Sequence, residues 1–447
     1  MRAQGRQCGW IQSALVAIRS AGAHGETMAS HCNNRPLPPA YTPDDPVCQQ
    51  GISIMNALSI DLFTIVSSIV LLLLSIASAL LNPFFRFSKK RYDKYTGEDQ
   101  GSATPSVSII LTPLDDISQL KKNLPAFLSQ TFPTSYQVVI VIEQGDHDTE
   151  SLVANIVNET RNEDAQADVY ITYIPKTYRY VSKKKLAMTL GVKAAKYDWV
   201  LFTELSCRPA SAQWLTLMAR HCAQGNNLVI GYTAYDRATP SFRRFERMYE
   251  SHYLMRATAK GMPFRTNGYN LLMRKEDFME QDGFLGNLHL MRGEYDFLVN
   301  KYARKNCAAL EISPDAWVVE DAPTDKTFLN RHLYLLASGS CLNRRAWQQL
   351  LFIMDHSGLH LSNLLCAIAA IYAAFRANWP LLGAAAVAFL IGATIRGLLA
   401  RRALKDFEES ISPLKALFFE HTLAFRRLQY KLRYLMADKN DFTTHKL

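Results

Sequence analysis

Acidic and basic side chains gather where short apolar runs end, and those positions could do chemistry. Asp115 and Asp116 follow the run 107–111, Glu143 follows 137–142, and Glu204 follows 199–203. Glu294 and Asp296 flank Tyr295 at the head of a helical pattern. A carboxylate so placed can ligate a hard cation, take a proton, or stabilise a helix N-terminus. Lys183, Lys184 and Lys185 open another helical pattern. Cations are unfavourable at that end of the helix dipole, so the run reads either as a solvated face or as a contact for an anionic ligand.

The elements that would position these groups alternate. Strand-like runs fall at 107–111, 137–142, 168–173 and 199–203, with helical patterns near 120–128, 151–158 and 183–196. Such alternation predicts a mostly parallel sheet with helices on both faces. Ligands of these sheets bind beyond the carboxyl ends of the strands. That points to 112–116, 143–146, 203–208 and 265–296. No G-x-G-x-x-G and no P-loop motif follows the first strand, so a dinucleotide or NTPase reading lacks its phosphate cradle.

The 447 residues carry a net charge of +10 and are 48% hydrophobic. The positive residues border apolar segments and form no compact basic and aromatic signature, which favours membrane lipids over nucleic acid as the anionic partner. Leu62 to Leu81 is apolar and long enough to cross a bilayer. No Lys or Arg lies between Arg35 and Arg86, whereas Arg86, Lys89, Lys90, Arg91 and Lys94 follow the run. The positive-inside rule then places the N-terminus outside and the next domain in the cytoplasm. A second apolar zone reads as two helices, about 359–375 and 379–395, with basic residues at both ends. The tail 413–436 is basic and amphipathic, which suits an interfacial helix or one packed on the soluble domain. Eight cysteines contain no C-x-x-C pair, which argues against zinc or a disulfide framework. Cys32 and Cys48 would pair only if their stretch is exported.

The expected organisation is therefore a disordered extracytoplasmic segment at 1–57, starting at Met1 or Met28, and a transmembrane helix at 58–82. A cytoplasmic α/β domain at 100–345, a transmembrane hairpin at 358–396 and a cytoplasmic tail at 397–447 follow.

Five stretches, taken in order, resemble membrane-anchored bacterial glycosyltransferases of family 2. They are Ser106-Val107-Ser108-Ile109-Ile110 with Leu120 to Pro125, then Lys184 to Ala195 leading into Trp199 to Glu204, then Cys207 to Ser211 with Trp214. Asn267-Gly268-Tyr269-Asn270-Leu271 with Arg274, Lys275, Gly283 and Phe284 follows, and Gly293-Glu294-Tyr295-Asp296 closes the set. The match spans about 105–340 and lies in order and spacing more than in any one stretch. It implies a GT-A α/β fold, a nucleotide-diphospho-sugar donor and inversion at the sugar carbon. The departing diphosphate then needs a metal ion or another positive charge, and the acceptor hydroxyl needs a base.

The resemblance also implies roles. The family's Asp-x-Asp falls on Glu204-Leu205-Ser206. Glu204 keeps a carboxylate for donor or metal, while Ser206 puts a weak neutral ligand where Mg or Mn is usually held. The base falls on Asp296 or Glu294. The nucleotide-binding acids fall on Asp116, Asp115 and Glu143, which equally suit helix capping. Lys185 is the lysine expected at the donor phosphates. Arg331, with His332, stands where a Gln-x-x-Arg-Trp motif is expected and absent; both residues equally suit an interfacial role.

Two functions follow. One is a multi-pass inner-membrane glycosyltransferase that uses Lys or Arg in place of the metal and a lipid-linked or membrane-proximal acceptor. The other is a catalytically degenerate relative that binds a nucleotide sugar or a partner without turnover. Three spans without a pathway of buried charges argue against a transporter, and they do not enclose a polysaccharide channel.

Overall fold

The computed structural model describes residues 61–89, 92, 104–113, 117–160, 166–176, 182–222, 225–266, 268–343 and 346–443. The expectations for 1–57, Asp115, Asp116 and Asn267 lie outside them. All described residues belong to one compact unit.

Helix α1, Leu62–Leu81, is an apolar run with a polar stop at each end. The Asp61 side chain accepts the Thr64 N–H at 2.8 Å. At the other end Asn82 Oδ1 accepts the Phe84 N–H at 2.8 Å and opens the short helix α2, Pro83–Arg86. In chain order there follow β1 (Val107–Leu111), α3 (Ile117–Leu128), β2 (Tyr136–Glu143), α4 (His147–Thr160), β3 (Ala167–Ile174), α5 (Lys183–Ala194), β4 (Trp199–Phe202), β5 (Cys207–Pro209), α6 (Trp214–Ala219), β6 (Leu228–Gly231), β7 (Thr233–Tyr235), α7 (Ser241–Ala259), β8 (Leu271–Arg274), α8 (Lys275–Glu280), α9 (Glu294–Tyr302), β9 (Ala308–Glu311), β10 (Val318–Glu320), α10 (Asp325–Gly339), α11 (Ala346–Phe375), α12 (Trp379–Asp406) and α13 (Pro413–Met436).

The main sheet has the order β3-β2-β1-β4-β8-β6-β9. β8 runs against both neighbours, and the other pairs are parallel. The inner strands β1, β4 and β6 are buried along their whole length, as a sheet covered by helices on both faces requires. Ile110, Val139, Val141, Val200 and Phe202 pack on the α5, α7 and α9 side. Ile109, Leu111, Val138, Ile140 and Leu201 pack on the other. This is the two-residue period of a pleated strand. A second sheet, β5-β10-β7, sits beyond the end of β4.

Helix α5 lies close on β1 and β2 because Gly191 has no side chain. A methyl there would meet Ile110 Cγ2 at 2.5 Å and Val141 Cγ2 at 3.2 Å. Gly191→Ala is therefore expected to destabilise the chain by about 1–3 kcal/mol through overpacking, despite roughly 1 kcal/mol of added helix propensity. A thermal midpoint in detergent equal to the unmodified chain's would contradict the close packing.

Among the described residues, three helical stretches are long and apolar enough to cross a membrane: Leu62–Leu81, Ile353–Phe375 and Trp379–Asp406. The α/β domain with one such helix before it and two after it is the fold class expected from the sequence. The three pack on one another. Ser75 Oγ donates to the Ala388 carbonyl at 2.6 Å, and Asn378 Nδ2 donates to Thr64 Oγ1 at 2.7 Å.

The hairpin departs from its expected limits at both outer ends. α11 begins at Ala346, and α12 continues to Asp406. Beyond 395 the pattern is no longer uniformly apolar, yet Ala400, Ala403 and Leu404 form a buried stripe that joins the core of the sheet domain. Phe407 then stacks on Trp317 with ring centroids 5.8 Å apart.

α13 has the expected limits and packs one face on the protein. Ala416, Glu420, Leu423 and Tyr430 are its buried face, while Leu414, Phe418, Phe425, Leu428, Leu432 and Leu435 form an exposed stripe. Buried Glu420 receives the guanidinium of Arg396 and the Asn82 side-chain amide, the latter at 2.6 Å.

Candidate functional site

The carboxyl end of β4 is the centre of the site. The register pairs Phe202 with Leu271 of antiparallel β8, so Glu204 and Tyr269 emerge at the same edge. The small sheet lies next to them. Glu320, the last residue of β10, pairs with Cys207 of β5 and Tyr235 of β7.

The three lysines at the start of α5 have three different fates. Ser182 caps the helix, its Oγ accepting the Lys185 N–H at 3.3 Å. Lys183 forms an ion pair with Glu143 at the end of β2. Lys184 forms an ion pair with Glu204, and both side chains are only 13% exposed. Lys185 turns into the core, where its ammonium donates to the Asn287 carbonyl at 2.7 Å, Asn287 Oδ1 at 2.6 Å and the Leu290 carbonyl at 2.5 Å. Burial lowers its pKa to about 8. All three of its donors are engaged, so Lys184 and not Lys185 is the lysine at the strand ends. Two carboxylates at this helix N-terminus also offset the unfavourable placement of the cations.

Aromatic rings wall the Lys184–Glu204 pair. Lys184 Nζ lies 5.8 Å from the ring centroids of both Tyr269 and Tyr295. These two rings meet edge to face at 5.1 Å. The Tyr295 hydroxyl hydrogen-bonds Glu204; burial first, and Glu204 second, push this phenol well above its ordinary pKa, so it stays a donor. The Arg331 guanidinium covers Tyr269 at 4.9 Å and donates to Glu320 at 2.9 Å. Arg247 donates to the same carboxylate at 2.5 Å and lies 3.8 Å over the Tyr235 ring. Burial would push the Glu320 carboxyl up, but Arg331 and Arg247 outweigh it and hold it below the usual range. At the rim Arg208 bridges Asp236 at 2.8 Å and Asp321 at 3.2 Å, and Lys122 pairs with Asp321 at 2.6 Å.

Other expected residues lie elsewhere. Glu294 and Asp296 stand on either side of Tyr295, two helical positions apart, and so point in nearly opposite directions. Glu294 Oε2 accepts the Gly293 N–H at 3.1 Å, and its charge acts on Lys185. Asp296 Oδ1 accepts the Thr266 N–H at 3.2 Å, and its charge acts on Arg265. The residue that faces Glu204 is the tyrosine between them. His332 is packed on Tyr430, with ring centroids 4.2 Å apart.

The residues do not fit a divalent metal. The Ser206 hydroxyl lies 4.0 Å from the Cys207 sulfur, and Glu204 is already matched by Lys184. Among the described residues no group of three or more His, Cys, Asp or Glu could hold an ion.

Glu320 and Asp321 escaped the sequence reading, although they end a strand in two acids, the signal that singled out Glu143 and Glu204. Arg247 gave no such signal; it lies in the middle of α7.

No protein-family model matches the chain. No curated protein matches it. Among solved structures it is similar to the mannosyltransferase PcManGT from Pyrobaculum calidifontis, solved with GDP-Man and Mn2+. That likeness covers 81% of this chain and 98% of the other at 15% identity, with a TM-score of 0.47. It is similar to residues 1–349 of S. aureus TarS in complex with UDP-GlcNAc over 72% and 92% of the two chains, at 13% identity and a TM-score of 0.38. A third likeness, to GalNAc-T7 with UDP, GalNAc and Mn2+, covers 50% of this chain and 44% of the other at 12% identity and a TM-score of 0.34. At such identities and scores these likenesses assign no role to any residue here, and roles must come from the geometry of the site.

Proposed function

We propose that the chain is a membrane-bound GT-A glycosyltransferase. It takes a sugar from a nucleotide-diphospho-sugar and passes it, with inversion, to a lipid-linked or membrane-proximal acceptor. One observation carries this reading: a lysine–carboxylate pair at the carboxyl edge of a mostly parallel sheet, walled by two tyrosines, in a domain built onto membrane-length helices. Ligands of such sheets bind at that edge.

In the transfer the acceptor oxygen attacks the anomeric carbon, and the bond from that carbon to the diphosphate breaks. The diphosphate leaves with the electron pair, and the acceptor hydroxyl loses its proton to a base. Lys184 answers the first charge. It is a cation in a sheltered site, where a charge acts more strongly than in water. When the ammonium turns to the diphosphate, the Tyr295 hydroxyl still donates to Glu204, so the acid is not left bare. Glu143 and Lys183 form an ion pair at the end of β2, along the same edge of the sheet.

In this reading the proton goes to Glu294 or Asp296, although neither faces Glu204 in the structure, and their divergence makes them separable. Asp296→Asn or Glu294→Gln, whichever removes the base, is expected to cut turnover by about 10²–10⁴-fold with unchanged nucleotide affinity. Unchanged turnover in both variants would remove this part of the mechanism.

We place the domain on the cytoplasmic side because Arg86 and Lys89 follow α1 and Arg401 lies late in α12, with the exposed stripe of α13 in the membrane interface. The direct test supplies UDP- and GDP-sugars with a membrane lipid extract to the full chain in detergent. Release of nucleoside diphosphate coupled to labelled lipid supports the proposal. A second reading, nucleotide-sugar binding without turnover, is favoured by the turning away of Glu294 and Asp296. Transfer with any donor and acceptor would end it.

A further inference from the structure

The two helices that present Lys184 and Tyr295 meet at one loop. Lys184 lies in the first turn of α5, and Tyr295 in the first turn of α9. The stretch 287–291 holds the start of α5. Lys185 donates to the carbonyls of Asn287 and Leu290 at 2.7 and 2.5 Å. Ser182, the cap of α5, donates its hydroxyl to the Met291 carbonyl at 2.9 Å and accepts the Lys185 N–H at 3.3 Å. Beyond Met291 the chain reaches Gly293, whose left-handed backbone opens α9. A methyl on Gly293 would meet Ser338 Cβ of α10 at 2.8 Å, so α9 starts close against α10. The loop is thus fastened to α5 on one side and leads into α9 on the other.

A distant segment holds the loop from outside. The Met291 N–H donates to the Phe442 carbonyl at 2.9 Å. Phe442 ends a short 3-10 turn, Lys439–Phe442, that follows α13. Asp438 caps this turn, its side chain accepting the Asn440 N–H at 3.0 Å. The Phe442 ring is buried between Tyr334 of α10 and Tyr434 of α13, with centroids 5.4 Å from each. The Tyr334 hydroxyl donates to the Asp441 carbonyl at 3.4 Å. A short turn of this kind frays unless something ties it down, and the Phe442 ring is the tie. The hydrogen bonds then run in series from the Phe442 carbonyl through Met291 and Ser182 to the Lys185 N–H, beside Lys184.

We propose that Phe442 is a positioning residue of the site. By anchoring the turn after α13 it holds the 287–291 loop, and through that loop the first turn of α5 with Lys184 and the start of α9 with Tyr295. That these helix starts serve a nucleotide sugar rests on the transferase reading; that Phe442 sets their position does not. The alternative is a turn that packs without consequence beyond itself, and the two differ in how far a change at Phe442 travels.

Hydrogen exchange of the full chain in detergent, read on peptides covering 182–187 and 287–295, measures that reach. Phe442→Ala is expected to speed exchange in both peptides by about tenfold or more, because losing a buried ring favours local opening by at least that factor. Peptides from β1 and α12 should keep their unmodified rates. Phe442→Leu, which refills most of the space, should restore most of the protection. Tyr334→Ala, on the other side of the ring, should act as Phe442→Ala does and serves if that variant does not fold. UDP and GDP titrated into the same samples give the second readout. If the competent arrangement falls to about a tenth of the population, the nucleotide that binds the unmodified chain binds Phe442→Ala about tenfold more weakly. Binding of neither nucleotide to any form would count against the transferase reading and leave the exchange rates to decide this inference. The inference is overturned if faster exchange stays within the turn after α13, or if Phe442→Ala binds that nucleotide as tightly as the unmodified chain.

Discussion

Lys184→Met is expected to lower sugar transfer by about 10²–10³-fold, the usual cost of removing one preorganised charge from the transition state. The side chain keeps its length and apolar stem, so packing against Tyr269 and Tyr295 survives. The ammonium is lost, and with it the cation that faces the departing diphosphate. Nucleotide affinity should fall as well, because the charge is met before and after the bond breaks. The variant should also lose about 1–3 kcal/mol of stability, because Glu204 keeps only the Tyr295 hydroxyl in a site 13% exposed. Lys185→Met should act differently: it removes a buried ammonium with three carbonyl-type acceptors, and so lowers stability while leaving the nucleotide affinity of the folded fraction intact. Equal nucleotide affinity in Lys184→Met and the unmodified chain would contradict the assignment.

Glu320→Gln is expected to be among the most destabilising single changes in the sheet domain. Its carboxylate stands between Arg247 at 2.5 Å and Arg331 at 2.9 Å, and the Glu320 and Arg247 side chains are 8% and 4% exposed. Its removal takes a carboxylate partner from buried Arg247 and from Arg331, which is 18% exposed, and breaking such a pair costs about 3–5 kcal/mol. The effect has a pH signature. Because the folded state holds this carboxyl below its ordinary value, its stabilisation is present above the unfolded pKa, about 4.3. It is lost as pH falls through the folded value. The unmodified chain should therefore weaken as pH drops below about 5, and Glu320→Gln should flatten that slope. Glu250 and Glu311 keep part of it. For each, burial pushes the carboxyl up, but Arg265 beside Glu250 and His221 with Arg220 beside Glu311 outweigh it and bring the pKa to about 2. Thermal midpoints between pH 3 and 7 measure the slopes; parallel curves would show that Glu320 is not the charged centre of the network.

Elements governed by one period were legible in the sequence. α1 is a uniform apolar run and α13 a single amphipathic pattern, and their limits are visible in the residues. The parallel strands β1, β2 and β4 were legible for the same reason. The direction and place of β8 were not. Leu271–Arg274 is a short apolar run that carries no mark of its reversal between β4 and β6. The extension of α12 was hidden because the apolar stripe at 400, 403 and 404 is buried by protein, in a stretch whose charges suggest an end.

At the site, strand-end acids announced Glu143 and Glu204 but not their lysine partners. The choice among three adjacent lysines is a matter of helix phase. Lys185 shares a face with Met188 and Val192, three and seven positions on, which are buried. That spacing carries it inward and leaves Lys184 at the edge. The same phase argument separates Glu294 from Asp296 and turns Tyr295 to the site. Arg331 follows Glu320 by 11 residues, but Arg247 precedes it by 73, and only the fold brings the three together.

Calorimetric titration of UDP and GDP into the full chain in detergent, with and without Mn2+, tests the central claim most directly. One of the two nucleotides is expected to bind with the same affinity in both conditions, and to bind more weakly to Lys184→Met. Absence of binding by both nucleotides, with and without the metal, would contradict it.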